Sequence, residues 1–229
     1  MELPWVQHDN ALARIGRDQP MSLYLAQASS PRRAQLEAFI HERFAQQHSA
    51  RVRHFMPCLF GLEDLAGQLL GAVGLRSGAS GPLFLERYLK QPIEAVIAAQ
   101  HRHNPPSRQQ IVEVGNLAAN GPGAARLLIV ALTDLLVALG FRWVTFTGTP
   151  TLLNSFQRLG LTPLPLGPAN PDCMGDELAD WGSYYDSQPQ VMAGDIYAGH
   201  QRLLHLGAYP RLGHQALYAL EDMPHVACR

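Results

Sequence analysis

The stretch that most constrains the fold runs from Gln110 to Leu161. Its first residues, Ile111–Val114, are mostly β-branched and apolar, a composition typical of a buried strand. A glycine turn at Asn120–Gly123 breaks that strand, and an almost continuously apolar helix is predicted over Ala124–Leu139. Trp143–Thr147 then has the composition of a second strand. Two strands joined by a helix predict a right-handed parallel βαβ unit.

The glycine turn opens the predicted helix, so free backbone N–H groups and the positive end of the helix dipole face the end of the first strand. This arrangement predicts a site for an anion such as a pyrophosphate. The candidate cofactor-binding residues are Asn120, Gly121, Gly123, Ala124, Ala125 and Arg126. Two alternatives remain open: a tight strand-to-helix turn that needs glycine for its backbone alone, and an Arg126 that is solvated or paired with a glutamate.

The remaining segments predict a mixed α+β fold with a central mixed, twisted sheet flanked by helices. The predicted elements are strands at 21–26, 58–62, 69–75 and 191–196, a strand or turn at 83–89, a helix at 32–47 and a helix beginning at Pro92. Residues 1–19 carry no strong pattern, and the four prolines of Leu161–Pro171 predict little regular structure. We expect one domain over 1–229, with a core at about 21–196 and a C-terminal extension at 197–229.

Composition argues against several classes of function. The 18 Lys and Arg residues nearly balance 19 Asp and Glu, and no basic stripe is present, so we expect no binding to nucleic acid. Cys58, Cys173 and Cys228 are widely spaced and form no CxxC or Cys/His pattern, so we expect reduced thiols and no metal site. We find no signal peptide and no run of about 18 apolar residues, so we expect no membrane span and a cytoplasmic location.

The order of strand, glycine loop, long helix and strand resembles the Gcn5-related N-acetyltransferase fold. That family's loop has the pattern Gln/Arg-x-x-Gly-x-Gly/Ala, matched here at Gly123 and Ala125, with Asn120 in the first position. In the family, the strand before the long helix splays from its parallel neighbour, and the pantetheine arm of the acyl-CoA enters the gap. The resemblance therefore implies an acyl thioester lying along Glu113–Ala118, with its carbonyl polarised by backbone N–H groups near Leu117.

A more specific resemblance, covering roughly Pro57 to Ile196, is to the thermostable hemolysin family. It rests on ERYL, PIE, EVGNLA, RLLIVALTDLL, GFRWVTFTGT, RLGL and WGSYY, which follow one another in this order. Members of this family resemble acyltransferase-fold proteins, closest in layout to acyl-homoserine lactone synthases. Those carry a Glu-x-x-Arg pair on the equivalent strand, where this chain keeps Glu113 and has Asn116 in place of the arginine.

Glu113 is the first candidate catalytic residue, because a carboxylate in an apolar strand needs a partner or a shifted pKa. One interpretation is a general base that deprotonates an acceptor amine, directly or through water. The other is a structural carboxylate paired with Arg87 or Arg126. The sequence leaves the two open.

The other candidate residues also have two interpretations each. Asn116 binds a substrate or satisfies the backbone at a strand bulge, and Arg87 binds an acceptor carboxylate or makes a surface ion pair. Many acetyltransferases carry a thiolate-protonating tyrosine where this chain has Phe156, so Tyr184 is the candidate replacement, with Tyr185 or water as other proton sources and packing in the core or an interface as the alternative interpretation. Leu117 and Ala118 complete the candidate substrate-binding set.

These observations predict an acyltransferase that moves an acyl group from coenzyme A or an acyl carrier protein to a small-molecule amine. The thioester is a co-substrate, and no permanently bound cofactor is expected. A carrier protein would dock on the arginines Arg32, Arg33, Arg43, Arg51 and Arg53. The alternatives are a non-catalytic binding or interaction protein on the same fold, favoured by Asn116, Asn120 and Phe156, and a hemolysin-like protein, which rests on the family name.

Overall fold

A computed structural model describes residues 10–101 and 105–218. The strands in this part of the chain are β1 (Ala13–Ile15), β2 (Met21–Ala26), β3 (Cys58–Glu63), β4 (Leu69–Ser77), β5 (Ile111–Ala119), β6 (Trp143–Gly148), β7 (Leu164–Pro168), β8 (Gln190–Asp195) and β9 (Gln215–Ala216). They form one mixed sheet in the order β7-β8-β6-β5-β4-β3-β2-β1-β9. Only β5 and β6 pair in parallel among these described strands.

Helices cover both faces of this sheet. They are α1 (Arg33–His48), α2 (Ile93–His101), α3 (Pro122–Ala138), α4 (Pro150–Arg158), α5 (Ile196–His205) and α6 (Ala208–Arg211). Helix α3 lies on one face, in an apolar cluster that it shares with α5 and α6. Helix α1 packs on the opposite face through Leu36 and Ile40. A 3₁₀ turn at Phe84–Tyr88 shares that second face with α2 and residues 174–185. The predicted mixed sheet between helices is confirmed.

Helix α3 is buried around much of its circumference, as its composition predicts. Pro122 occupies its first position, where a missing N–H costs no intrahelical hydrogen bond. Gly140 lies just past its end with a φ of +79°, a conformation that glycine adopts without strain. The helix begins two residues earlier than predicted, because the proline favours the first turn rather than breaking it.

Strand β5 separates from β6 halfway along its length. Ile111–Val114 pair with residues 143–146 of β6, and no pair follows between the two strands in the described residues. Strand β5 nevertheless continues to Ala119, paired with β4 on its other side. The pairing with β4 skips a residue, so that Asn116 and Leu117 oppose Val73, and Asn116 has a φ of +53°. The splayed strand implied by the acetyltransferase resemblance is confirmed.

The structure refines the sequence predictions for three local segments. The prolines of Leu161–Pro171 did not prevent a strand: β7 pairs antiparallel with β8, and among the described strands it has no other neighbour. An edge strand tolerates proline because one side of its backbone needs no ladder partner. The segment 83–89, predicted as a strand or turn, forms a 3₁₀ turn. Residues 1–9 and 219–229 lie outside the described residues, and β1 was not predicted.

No helix in the described ranges is long and apolar enough to cross a membrane.

Candidate functional site

A cavity of about 1210 Å³ passes through the gap between β5 and β6. On one face of the sheet it is lined by α3, α4 and α5. On the other it is lined by the end of α1, the link 51–56, the 3₁₀ turn and residues 177–187. Such a volume exceeds the few hundred Å³ needed for a small metabolite. It therefore accommodates a long ligand that crosses the sheet.

The α3 face of the cavity is apolar. Ile129, Leu132 and Leu136 project from one side of α3, and Phe146 and Phe156 stack with ring centroids 4.9 Å apart. Phe156, at the position of the acetyltransferase tyrosine, is thus a packed ring with no proton to give. This face suits a hydrocarbon chain or the methylene part of a linker.

The opposite face carries a cluster of rings that we call the aromatic pocket: Phe44, His48, Phe84, Trp181 and Tyr184. Trp181 lies 5.2 Å from Tyr184, 6.0 Å from Phe84 and 6.5 Å from Phe44, measured between ring centroids. Tyr184 is buried, and burial raises the pKa of its phenol. Burial also lowers the pKa of His48, which favours the neutral form of its ring. The pocket is therefore a largely uncharged recess lined by flat surfaces.

Glu113 lies beside this pocket with only 2% of its surface exposed. Its two carboxylate oxygens accept hydrogen bonds from the backbone N–H groups of Phe84 and Leu85, both at 2.9 Å. Burial raises the pKa of Glu113, although these two hydrogen bonds oppose the shift. The pairing with Arg87 or Arg126 offered by the sequence is wrong, because backbone amides hold this carboxylate. Glu113 thereby fixes the 3₁₀ turn to the sheet and still borders the cavity.

Asn116 uses its side chain to hold the link that crosses the sheet. Its Oδ1 accepts from the N–H of Met56 at 2.8 Å, and its Nδ2 donates to the carbonyl of His54 at 3.2 Å. Met56 then covers Gly74 and Gly115, where a Cβ atom would lie 2.5 Å from it. Asn116 and its neighbour Leu117 both border the cavity. The bulge therefore positions one wall of the cavity.

The glycine turn lies at the mouth of the cavity, where Gly121 and Ala125 line it. The N–H of Ala125 donates to the carbonyl of Gly121, whereas the N–H groups of Gly123 and Ala124 have no backbone partner in the described residues. Asn120 is occupied instead, since its N–H and Nδ2 donate to the carbonyls of Leu70 and Leu69.

Several predicted residues lie outside the cavity lining: Arg87, Ala118, Asn120, Gly123, Ala124 and Arg126. Arg87 forms an ion pair with Glu177 at 2.9 Å and stacks over the Phe84 ring at 4.0 Å. Its guanidinium thus supports the aromatic pocket from behind.

The arginines proposed for a carrier protein are mostly engaged within the molecule. Arg32 pairs with Glu63, Arg33 with Glu37 and Arg53 with Asp180. Arg43 donates to the carbonyl of Ala119 and to Gln46. Each internal carboxylate removes charge that an acidic partner would need.

Sequence analysis missed Arg76. In the sequence this residue stands just beyond the strand predicted at 69–75, whereas in the structure it belongs to β4, opposite Glu113, and lines the cavity. The available signal was a single charge near the end of an apolar strand. In the described residues, no group of three or more His, Cys, Asp or Glu side chains could hold a metal ion.

Comparisons with known proteins agree with this architecture. TofI in an apo form shares 16% identity with a TM-score of 0.55, covering 78% of this chain and 95% of TofI. FeeM, an N-acyl amino acid synthase from uncultured soil microbes, shares 15% identity with a TM-score of 0.56, covering 83% and 97%. BjaI, a CoA-dependent acyl-homoserine lactone synthase solved with MTA, shares 17% identity with a TM-score of 0.55, covering 95% and 98%.

At these identities the likeness shows a shared fold, the acyltransferase fold implied by the sequence. No curated protein sequence matches the chain. The family model for thermostable hemolysin, in contrast, matches residues 26–200, most of the described chain. The chain therefore belongs to the thermostable hemolysin family.

Proposed function

We propose that this protein is an acyltransferase that moves an acyl group from a thioester to an amine. The observation that carries the proposal is the separation of β5 from β6, with the cavity running through the gap. Backbone groups of Gly115–Ala119 that face β6 have no strand partner there, so they are free to bind the amides of an extended pantetheine arm. FeeM and BjaI, which share the fold, are an N-acyl amino acid synthase and a CoA-dependent acyl-homoserine lactone synthase.

In the proposed reaction the amine nitrogen attacks the thioester carbonyl carbon, the C–S bond breaks, and an amide and a thiol remain. Glu113 accepts the proton that the ammonium group loses to become a nucleophile, directly or through water, and its raised pKa suits that role. Backbone N–H groups near Leu117 and Ala118 stabilise the oxyanion of the tetrahedral intermediate. The leaving thiolate takes up a proton from the Tyr184 hydroxyl or from water. The nitrogen loses a second proton after attack, which replaces the one given to the thiolate, so the step is balanced.

The thioester enters as a co-substrate. Its phosphates are placed at the first turn of α3, where Gly123 and Ala124 offer unpaired N–H groups and Gly121, Ala125 and Arg126 surround them. Asn120 holds the turn in place through its contacts with β4. Coenzyme A fits this arrangement better than a carrier protein, because most of the arginines around α1 are already paired. An acyl carrier protein remains the alternative donor.

We also propose that the protein works in the cytoplasm. Cys58 and Cys173 form no disulfide within the described residues, and Cys58 is buried. Free thiols suit a reducing environment such as the cytoplasm.

A second candidate is a binding protein that keeps the cleft and does not transfer the acyl group. Two observations favour it: Phe156 is a packed ring where related acetyltransferases have a tyrosine, and both oxygens of Glu113 already bind backbone amides. In that case the cavity would hold an acyl thioester or its product without turnover.

The test combines binding with turnover. Purified protein is mixed with butyryl- to palmitoyl-CoA and a panel of primary amines, and thiol release and the product mass are measured. Amine-dependent thiol release, with kcat/KM falling as acid protonates Glu113, supports the acyltransferase. A rise in melting temperature with acyl-CoA but no thiol release supports the second candidate. Neither effect would overturn both.

A matched pair of variants checks that the cleft is the binding site. Ala125→Trp fills the cavity mouth and is expected to abolish stabilisation by acyl-CoA. Ala45→Trp, on the exposed side of α1 and outside the cavity, is expected to leave it unchanged. Equal stabilisation of both variants would place the ligand elsewhere.

A further inference from the structure

Arg76 and Glu113 lie directly opposite each other in the antiparallel pair β4–β5. Residues opposite each other in such a pair project from the same face of the sheet, so both side chains rise on the face of the aromatic pocket. Both line the cavity. They place one positive and one negative group side by side on the cavity floor.

The two side chains do not satisfy each other. No ion pair joins them, because the oxygens of Glu113 accept from the N–H groups of Phe84 and Leu85. Arg76 is half-buried, and no hydrogen bond or ion pair to it is found among residues 10–101 and 105–218, although its charge acts on the neighbouring Glu113 and opposes the rise in the pKa of that carboxyl. N–H donors that lose part of their water without gaining an acceptor are costly. This unpaired donor therefore points to an anionic group supplied by a ligand.

Other charges around this part of the cavity are already matched. Arg53 pairs with Asp180, and Glu177 pairs with Arg87. Arg51 lies at the exposed rim. Arg76 is thus the half-buried cation of the cavity floor whose N–H groups have no acceptor in the described structure.

The phosphates of coenzyme A are too far away to be that anion. Eight residues separate Glu113 from Gly121, a span of roughly 25 Å along an extended strand. Phosphates at the first turn of α3 therefore lie well away from Arg76. We therefore assign the anion at Arg76 to the acceptor.

The aromatic pocket borders the same floor. Phe84 supplies one of the two N–H groups that hold Glu113, and Trp181 and Tyr184 complete the wall opposite α1. Its rings suit an apolar or aromatic group of the acceptor. The charges of the floor and the rings of the wall together are complementary to one molecule that carries an amine, a neighbouring carboxylate and an apolar side chain.

We propose that the acceptor is a free α-amino acid with an apolar or aromatic side chain, which rests on the acyl transfer proposed above. Its carboxylate binds the Arg76 guanidinium bidentately, and its ammonium group donates to unused lone pairs of Glu113. Its side chain occupies the aromatic pocket. The ammonium gives one proton to Glu113, the free amine attacks the thioester, and the products are an N-acyl amino acid and the thiol of coenzyme A.

The test compares L-phenylalanine with phenethylamine, which lacks only the carboxylate, as acceptors from the same acyl-CoA. The wild-type protein is expected to prefer phenylalanine in kcat/KM. Arg76→Gln is expected to raise KM for phenylalanine by roughly 10- to 100-fold, the usual range for a lost charged hydrogen bond, and to leave phenethylamine within about twofold. Arg76→Lys, which keeps the charge but not the planar fork, is expected to recover part of the preference.

Arg14→Gln is the matched control, since Arg14 is exposed on β1 and does not line the cavity. It is expected to behave as wild type. Equal use of the two acceptors by the wild type, or an equal loss for both in Arg76→Gln, would overturn the amino-acid assignment while leaving acyl transfer intact.

If no amine releases thiol, the acyl-transfer proposal fails separately, and the head-group site is then tested by calorimetric binding. Binding of phenylalanine that weakens in Arg76→Gln, with no comparable loss for phenethylamine, supports the site. No binding of phenylalanine to the wild type overturns it.

Discussion

The carboxylate of Glu113 holds a backbone turn, so its replacement tests folding as well as chemistry. In Glu113→Gln, an amide NH₂ replaces one of the oxygens that accept from Phe84 and Leu85. One backbone N–H then faces another donor in a buried site. We expect a loss of about 1–3 kcal/mol in the free energy of unfolding, measured by urea denaturation.

Glu177→Gln is the control for this measurement. Glu177 pairs with Arg87, but its side chain is 44% exposed. Exposed ion pairs contribute little, so the change should stay below about 1 kcal/mol. A Glu113→Gln variant as stable as the control would show that the two amide contacts do not stabilise the turn.

Sequence reasoning identified Glu113 because a carboxylate stood among β-branched residues. It did not identify the partner, since an amide donor from a distant turn leaves no mark in side-chain identity. Arg76 was missed for a related reason. In a sequence, a charged residue after an apolar strand can equally well be the first residue of a loop. Only the pairing of β4 with β5 shows that Arg76 lies opposite Glu113. Composition identifies candidates, whereas strand register determines which of them meet.

The link at residues 54–56 depends on two glycines of the sheet, and this dependence gives a second prediction. A Cβ atom at Gly74 would lie 2.5 Å from Cβ of Met56, close to the backbone of the link. At Gly115 it would meet only the terminal Cε of Met56, also at 2.5 Å, which can rotate away. We expect Gly74→Ala to cost about 1–3 kcal/mol by urea unfolding and Gly115→Ala less. Equal losses of unfolding free energy in the two variants would mean that the backbone of the link moves aside as easily as the end of the Met56 side chain.

Helices α1, α2 and α3 and most strands were predictable, because their apolar periodicity is local, whereas α5 and α6 were not predicted. The separation of β5 from β6 was not visible in periodicity and came from the acetyltransferase resemblance. The 3₁₀ turn at Phe84–Tyr88 was ambiguous because the short apolar run of residues 83–85 is typical of a strand as well. Its shape is set by Glu86, which accepts from the N–H of Leu83, and by Arg108. In the sequence Arg108 comes after α2, whereas the turn comes before it, so no local pattern predicts this contact.

Acid should unfold the molecule partly through Glu86. Burial opposes ionisation of this carboxylate, but Arg108 and the N–H groups of Ile93 and Leu83 outweigh it and lower its pKa to about 2. A lowered folded-state pKa contributes stability above the ordinary value of 4.5, and that stability is lost as the pH falls toward 2. Melting temperature measured across this range should fall more steeply in wild type than in Glu86→Gln.

Glu113 contributes to the pH dependence of stability with the opposite sign. Burial raises its pKa, so protonation at low pH relieves a cost rather than removing a contribution. If the slopes of wild type and Glu86→Gln coincide between pH 4.5 and 2, the cluster around Arg108 is not what acid disrupts.

The prolines of β7 have a consequence for the protein in concentrated solution. Pro165 and Pro168 lie on a strand whose outer side has no neighbour among the described strands. Proline carries no amide hydrogen, so this rim offers an incoming chain an incomplete set of donors. At the far rim, β9 is only two residues long. Both rims of the sheet therefore disfavour edge-to-edge pairing with a strand of another copy.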